Sequence, residues 1–285
     1  MSPTLSGVLA PVLTPFQANL EIDVPRFVDH CRSLLADGCS ALAVFGTTSE
    51  ANSLSVEERE RLLLALLEAG IPPEKLLPGT GCCALPDTVR LTRAATRAGC
   101  AGVLMLPPFY YKNLSDEAVF RSFAAVIDRV ADPRLRIFLY HIPNYSQVGI
   151  PLAVIQRLRK AYPEIVVGLK DSSGDFSNTR AILDNVPGFQ VFVGSERYLL
   201  ANLRAGGAGC ITATANVNAA AIAKAFHDRT EEAQAGIDQV RIFFEQFPMI
   251  PALKAELAER RNDPAWRTVR PPLVELPAEA LRRAR

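Results

Sequence analysis

The feature that most constrains this chain is an alternation. Short apolar runs near 7–14, 40–46, 76–79, 102–106, 135–140, 165–169, 190–194 and 209–212 are separated by segments whose apolar residues recur at helical spacing. Those segments lie near 25–37, 55–69, 86–98, 115–131, 151–160, 178–186, 196–205 and 218–229. Strand and helix in strict alternation is the pattern of βα units on a parallel sheet. Eight such units predict an α/β fold, a (β/α)8 TIM barrel. An open dinucleotide-binding sheet is disfavoured because no G-x-G-x-x-G follows the first run. The helix at 55–69 shows the local logic. Ser55 and Glu58 form a capping box, Val56, Leu63, Leu66 and Leu67 share a face, and Gly70 ends it. Pro151 opens another helix, where its missing N–H is of no consequence. Beyond residue 230 only helices are expected, at 231–247, 251–261 and 277–284. We therefore expect a barrel over residues 1–230 that carries the site, and a C-terminal helical extension over 231–285.

Composition excludes several classes. Thirty-one basic against 30 acidic residues leave a net charge of +1, which is not the footprint of a nucleic-acid binder. No apolar run reaches the roughly 18 residues of a membrane span. The opening residues lack a charged region followed by a long apolar one, so no secretory signal is read there and a cytoplasmic location is expected. The six cysteines are scattered without a C-x-x-C pair, and His30, His141 and His227 are not at ligand spacing. No metal site is expected, and the thiols read as buried and reduced.

Among six lysines, one stands apart. Lys170 ends the run Ile165–Leu169, whose β-branched residues suit a strand packed on both faces. The others sit in helical, linker or loop contexts. An ammonium held in a nearly dry site loses the hydration of its charged form, which favours the neutral amine. A neutral amine among apolar walls is what Schiff-base formation with a ketone requires. The plain structural reading, a lysine snorkelling from a strand end to solvent, weighs equally on local sequence alone.

In barrels, chemistry gathers where strands end. Those ends supply Gly46-Thr47-Thr48-Ser49-Glu50, Pro107-Pro108-Phe109-Tyr110-Tyr111, Tyr140-His141-Ile142-Pro143, Lys170, Gly194-Ser195-Glu196 and Ile211-Thr212. Hydroxyls and backbone N–H groups after a glycine can hold a carboxylate. A phenol near an amine can shuttle protons. Singly, a G-T-T-S-E is more often a turn with an N-cap, and a Tyr-Tyr pair is more often packing. Together on one rim, amine, phenol and carboxylate cradle suggest chemistry on a 2-oxo acid.

With these segments in view, the chain resembles the dihydrodipicolinate synthase / N-acetylneuraminate lyase family of class I, Schiff-base aldolases. The matching segments span nearly the whole chain. They run from Gly7–Phe16 through G-T-T-x-E, P-F-Y-Y, Y-x-I-P, G-x-K-D-x-S-G and G-G-A-G-C-I-T to the P-x-x-K-A-x-L of Pro251–Leu257. The resemblance implies that Lys170 forms an imine with pyruvate, with Tyr140 as the acid–base group beside it. It further implies that Thr47 joins Tyr140 in a proton relay, and that Thr48, with Ser49 in the same turn, binds the 2-oxo acid carboxylate. A tyrosine of the fourth loop, Tyr110 in preference to Tyr111, would reach into a neighbouring subunit, so a homo-oligomer, a dimer of dimers, is implied. Ile211 would lend backbone polarity near the imine. Ser172, Gly194 and Glu196 would lie along the substrate's tail. No cofactor and no metal is implied.

Three departures bear on specificity. Tyr145 stands where synthases of the family carry an arginine for the second substrate's carboxylate, and the loop before Gly149 is about two residues longer. A phenol does not replace a bidentate guanidinium. Ser49 replaces the glycine of G-T-T-G-E, which would strain a turn that needs positive φ. Glu196 and Arg197 follow Ser195 where sialic-acid lyases show Asp-Glu, and Arg197 is read as solvent-facing rather than ligand-facing. The leading expectation is a pyruvate-dependent lyase that cleaves, forms or dehydrates a 2-keto-3-deoxy sugar acid or related 2-oxo acid. The alternatives are 4-hydroxy-tetrahydrodipicolinate synthase, which joins pyruvate and aspartate semialdehyde, and a non-catalytic sugar-acid-binding barrel.

Overall fold

The computed structural model describes residues 5–277 and 279–284. Residues 1–4, part of the stretch read for a secretory signal, lie outside the described residues, as does Ala278 within the last expected helix. In chain order the elements are β1 (Gly7–Ala10), α1 (Val24–Ala36), β2 (Ala41–Leu42), α2 (Val56–Glu68), α3 (Leu85–Arg97), β3 (Val103–Met105), α4 (Asp116–Val130), β4 (Ile137–His141), α5 (Pro143–Ser146) and α6 (Leu152–Ala161). They continue with β5 (Val166–Asp171), α7 (Phe176–Asn185), β6 (Gln190–Val193), α8 (Leu199–Arg204), β7 (Gly209–Ile211), α9 (Ala215–Asp228), α10 (Glu231–Glu245), α11 (Met249–Arg260) and α12 (Ala280–Ala284). Among the described residues no helix is long and apolar enough to cross a membrane.

All strand pairings are parallel, and the seven strands form one curled sheet in the order β2-β1-β7-β6-β5-β4-β3. Eight strands were expected, and the one at 76–79 is not formed. Its place is taken by a segment that touches both edges of the sheet through the isolated bridges Leu42↔Leu76 and Gly79↔Leu104. Leu77 N and Gly79 N donate to Leu42 O and Val44 O at 2.9 and 2.7 Å, while Pro78 O accepts from Leu104 N at 2.9 Å. Pro78 has no N–H to give in return, so the ladder towards β3 is interrupted there. The result is a curled parallel sheet of α/β barrel type, with 76–79 bridged to both edge strands without forming a strand.

Two apolar layers follow from the period of two along each strand. Leu9, Ala41, Ala43, Leu77, Leu104, Phe138, Phe192 and Ile211 fill the lumen. Val8, Ala10, Leu42, Val103, Ile137, Val166 and Val193 face outward against the helices. A fully buried aliphatic or aromatic side chain contributes about 1.5–3 kcal/mol, so both layers matter to stability. The α2 capping box forms as expected, with Ser55 Oγ accepting from Glu58 N at 3.1 Å and the Glu58 carboxylate accepting from Ser55 N at 2.8 Å.

The helix expected over 196–205 is instead a 3-10 turn, Glu196–Tyr198, followed by α8. The one expected from 218 begins at Ala215 and is kinked at Asn218. α11 begins before Pro251, which sits in its first turn where an amide donor has no intrahelical partner. α10, α11 and α12 meet in a third cluster around Trp266, Phe244, Leu253 and Leu257, which also takes in Leu13 and Val217 from the barrel.

Candidate active site

Lys170 lies within β5, one residue before its end, and is 5 % exposed. A register shift turns it into the lumen. Ile137 pairs with Val166, yet Phe138 pairs with Gly168, so Val167 is an extra residue in β5. A one-residue slip exchanges the two faces of a strand. The bulge therefore sets Lys170 opposite Tyr140; without it Leu169 would take that place. Gly168 makes the bulge possible, because a Cβ there would lie 2.5 Å from both Gln190 O and the Phe138 ring.

Lys170 Nζ donates to Tyr140 Oη at 3.2 Å, and Tyr140 Oη lies 3.3 Å from Thr47 Oγ1. The amine also sits 4.4 Å from the centre of the Tyr140 ring. No carboxylate pairs with Lys170 among the described residues. The neighbouring Asp171 carboxylate is turned away to Ser173 N, Asn178 Nδ2 and Thr179 Oγ1 at 2.9, 2.8 and 2.8 Å. His141 Nδ1 accepts from Ile150 N at 3.0 Å, and burial holds the ring below its ordinary titration range.

Thr47 and Thr48 ride on a tight turn after β2, closed by Ser49 N→Gly46 O (3.1 Å) and Glu50 N→Thr47 O (3.0 Å). Among the described residues, the backbone N–H groups of Thr47 and Thr48 have no acceptor. Two hydroxyls and two free amides at the mouth of a cavity are suited to an anion. Ser49 does not strain the turn. Positive φ falls on Glu50 instead (57°), and Ser49 Oγ donates to Val12 O at 2.5 Å while its carbonyl accepts from Thr14 Oγ1 at 2.8 Å. Ser49 is fully buried and faces away from the cavity.

The cavity over Lys170 has a volume of about 520 Å³. It brings together Thr47, Thr48, Tyr140, Lys170, Ser172 and Gly194. Gly194 is required there, since a Cβ would meet Ser172 Oγ at 2.0 Å. Five other residues named from sequence do not line it. Ser49 is one. Glu196 is fully buried, its carboxylate taken by the hydroxyls of Thr212 and Thr214 and approached by Arg241 Nη1 at 3.5 Å, so no oxygen is left for a substrate. Ile211 packs in the lumen layer. Tyr110 and Tyr111 stand out from the surface, 74 % and 72 % exposed, ring against ring at 5.4 Å.

Further residues line the cavity. Asn144 and Tyr145 form one wall with Arg197 and Tyr198, so Arg197 faces the cavity rather than open solvent alone. A further part of the wall comes from the C-terminal helices: Arg241, Glu245 and the stretch Phe247–Ile250. Glu245 bridges the two guanidinium groups, at 2.8 Å from Arg241 Nε and 3.3 Å from Arg197 Nη1. A second buried lysine, Lys254 of α11, contacts the Glu50 carboxylate behind the turn, with both side chains fully buried. Desolvation pushes its ammonium down to about 8 against the pull of that carboxylate. Among the described residues no three His, Cys, Asp or Glu side chains gather as metal ligands would.

The chain has close relatives in sequence and in fold. The profile of the Dihydrodipicolinate synthetase family matches residues 4–283. An uncharacterised DapA-like lyase of Chloroflexus aurantiacus is 35 % identical over 280 residues, covering 96 % of this chain and 92 % of the relative. A 4-hydroxy-tetrahydrodipicolinate synthase of Rhodospirillum centenum is 34 % identical over 74 % of this chain and 70 % of its own length. The crystal structure of dihydrodipicolinate synthase from Agrobacterium tumefaciens superposes with a TM-score of 0.92 at 32 % identity, covering 98 % of this chain and 96 % of that one. The chain belongs to the dihydrodipicolinate synthetase family and is a class I aldolase or lyase.

Proposed function

We propose that the protein is a pyruvate-dependent lyase that cleaves, forms or dehydrates a 2-keto-3-deoxy sugar acid or related 2-oxo acid through an imine on Lys170. The observation that carries this reading is the chain Lys170 Nζ, Tyr140 Oη, Thr47 Oγ1, linked at 3.2 and 3.3 Å. Attack of the neutral amine on the C2 carbonyl gives a carbinolamine. Protonation of its hydroxyl by Tyr140 releases water and leaves the protonated imine; the Tyr140 phenolate then takes the C4 hydroxyl proton, C4 becomes the aldehyde carbonyl, and the imine accepts the electron pair of the C3–C4 bond to give the enamine. Thr48 and the free amides of the turn hold the C1 carboxylate. Ser172, Ser195, Asn144 and Tyr145 give the tail hydroxyl and amide partners, which suits a polyhydroxy acid. In this reading the segment 76–80 is the eighth stave of a closed (β/α)8 barrel, residues 231–285 are its helical extension, and Tyr110 completes the relay of a neighbouring subunit in a homo-oligomer.

A second reading, condensation of pyruvate with aspartate semialdehyde, draws support from Arg197. Its guanidinium faces the same cavity and could meet the second carboxylate although Tyr145 cannot.

The test is intact mass after incubation with pyruvate and borohydride. One pyruvyl adduct on the wild type, absent from Lys170→Ala, is expected; an unmodified wild type sinks the imine reading. Tyr140→Phe is expected to slow turnover by about a hundred- to a thousandfold. Pyruvate release from 2-keto-3-deoxygluconate, against consumption of aspartate semialdehyde, separates the two readings.

A further inference from the structure

Two motif residues have no part in the chemistry described so far: Glu50, which ends the turn, and Lys254, in the middle of α11. Every residue from Pro251 to Ala258 is buried, so Lys254 enters an apolar helix face-on to the barrel. Its Nζ donates to Thr268 O at 2.8 Å, contacts Glu50 Oε1 and lies 4.4 Å from the Phe16 ring centre. Glu50 Oε2 accepts from Arg270 N at 3.0 Å. The Arg270 side chain then grips Ser53 O at 2.7 Å, Leu20 O at 3.0 Å and both carboxylate oxygens of Glu58 at 2.8 and 2.6 Å. Glu50 thus hangs from two C-terminal anchors while its backbone holds φ 57°, ψ 35°.

A left-handed conformation in a non-glycine residue persists only where its surroundings over-determine it. A buried ion pair is a poor source of stability, since apolar replacements of similar volume often do as well. Its presence behind a turn that must present two amides and two hydroxyls calls for another reason. We propose that Glu50 and Lys254 are positioning residues: the pair fixes the 46–50 turn so that Thr47 meets Tyr140 and the Thr48 amide meets the carboxylate of the 2-oxo acid. This rests on the reading of Lys170 as the imine-forming group.

The experiment compares the wild type with Glu50→Gln, Lys254→Met and the double substitution. Two quantities are measured: the urea midpoint, and the pyruvate concentration that gives half-maximal borohydride trapping. Each single variant leaves one buried charge unpaired and is expected to unfold at lower urea. The double variant is expected to regain most of that midpoint yet to need roughly ten- to a hundredfold more pyruvate, because a displaced turn misplaces the carboxylate. Trapping by the folded double variant at the wild-type concentration overturns the proposal. A wild type that forms no adduct overturns the imine reading, and the proposal with it. Where the double variant does not fold, Glu50→Asp decides. It keeps the charge on a shorter arm, and raised half-saturation at an unchanged urea midpoint supports the proposal, whereas wild-type half-saturation overturns it.

Discussion

Lys170 and Lys254 are both buried, yet their surroundings differ in one respect. Lys170 faces a phenol and has no carboxylate partner among the described residues, whereas Lys254 faces Glu50 at contact distance. A lysine that faces a phenol and an open cavity is free to meet a ligand; one clamped to a carboxylate and a carbonyl is a strut. The partner, more than burial, separates the two lysines.

That contrast breaks most sharply in activity. Lys170→Ala is expected to lower turnover by at least about ten-thousandfold, the scale seen when a covalent nucleophile is removed, and retention of more than a few per cent of activity would refute its role. Stability should invert the order of the two lysines. Lys254→Met is expected to cost about 3–5 kcal/mol by stranding the Glu50 charge, while Lys170→Met, which strands no charge, leaves the urea midpoint unchanged or higher. Equal losses in the two would remove the distinction.

A third buried nitrogen sharpens the comparison through pH. His30 is fully buried, its Nδ1 2.9 Å from Arg261 Nη2 and its Nε2 3.0 Å from Asn216 Oδ1, and burial and that guanidinium hold it down to about 3. The unfolded chain takes up the proton near 6.5 and the folded one does not, so stability is complete above about 6.5 and is lost as pH falls. Between pH 6.5 and 4 the loss is about 3 kcal/mol, at about 1.4 kcal/mol for each pH unit between the two values. His30→Gln should flatten that part of a urea-midpoint profile; an unchanged slope would assign the acid sensitivity elsewhere. The smallest effect is expected at the bulge. Gly168→Ala forces a methyl group against Gln190 O and the Phe138 ring, with an expected loss of about 1–3 kcal/mol and weakened pyruvate trapping as Lys170 is pushed from its register. Full trapping in that variant would show that the bulge does not set the lysine.

The parts of this molecule legible in its sequence are those with a local signature. Lys170 follows a β-branched run, Tyr140 ends an apolar one, and Thr47 and Thr48 follow a glycine. Strand ends converge in a barrel, so their meeting could be foreseen. The bulge at Val167 could not, because nothing in a run of valines tells which one has no partner. Pro78 was a visible warning that the run at 76–79 would pair poorly. Glu196 was misplaced for a different reason. It follows a strand end, yet the hydroxyls that claim it come from Thr212 and Thr214, and the guanidinium beside it from Arg241 in α10. The apolar wall at Phe247–Ile250 spans the gap between the helices expected at 231–247 and 251–261, and no period reports which cavity such a junction will close.

The bond from Arg270 to Glu50 joins residues 220 positions apart. During synthesis, therefore, Lys170 and Tyr140 leave the ribosome well before the residues that brace the turn opposite them. The emerging chain carries Lys170 for a long interval before the turn opposite it is braced, and that bracing arrives late, when the last helices dock.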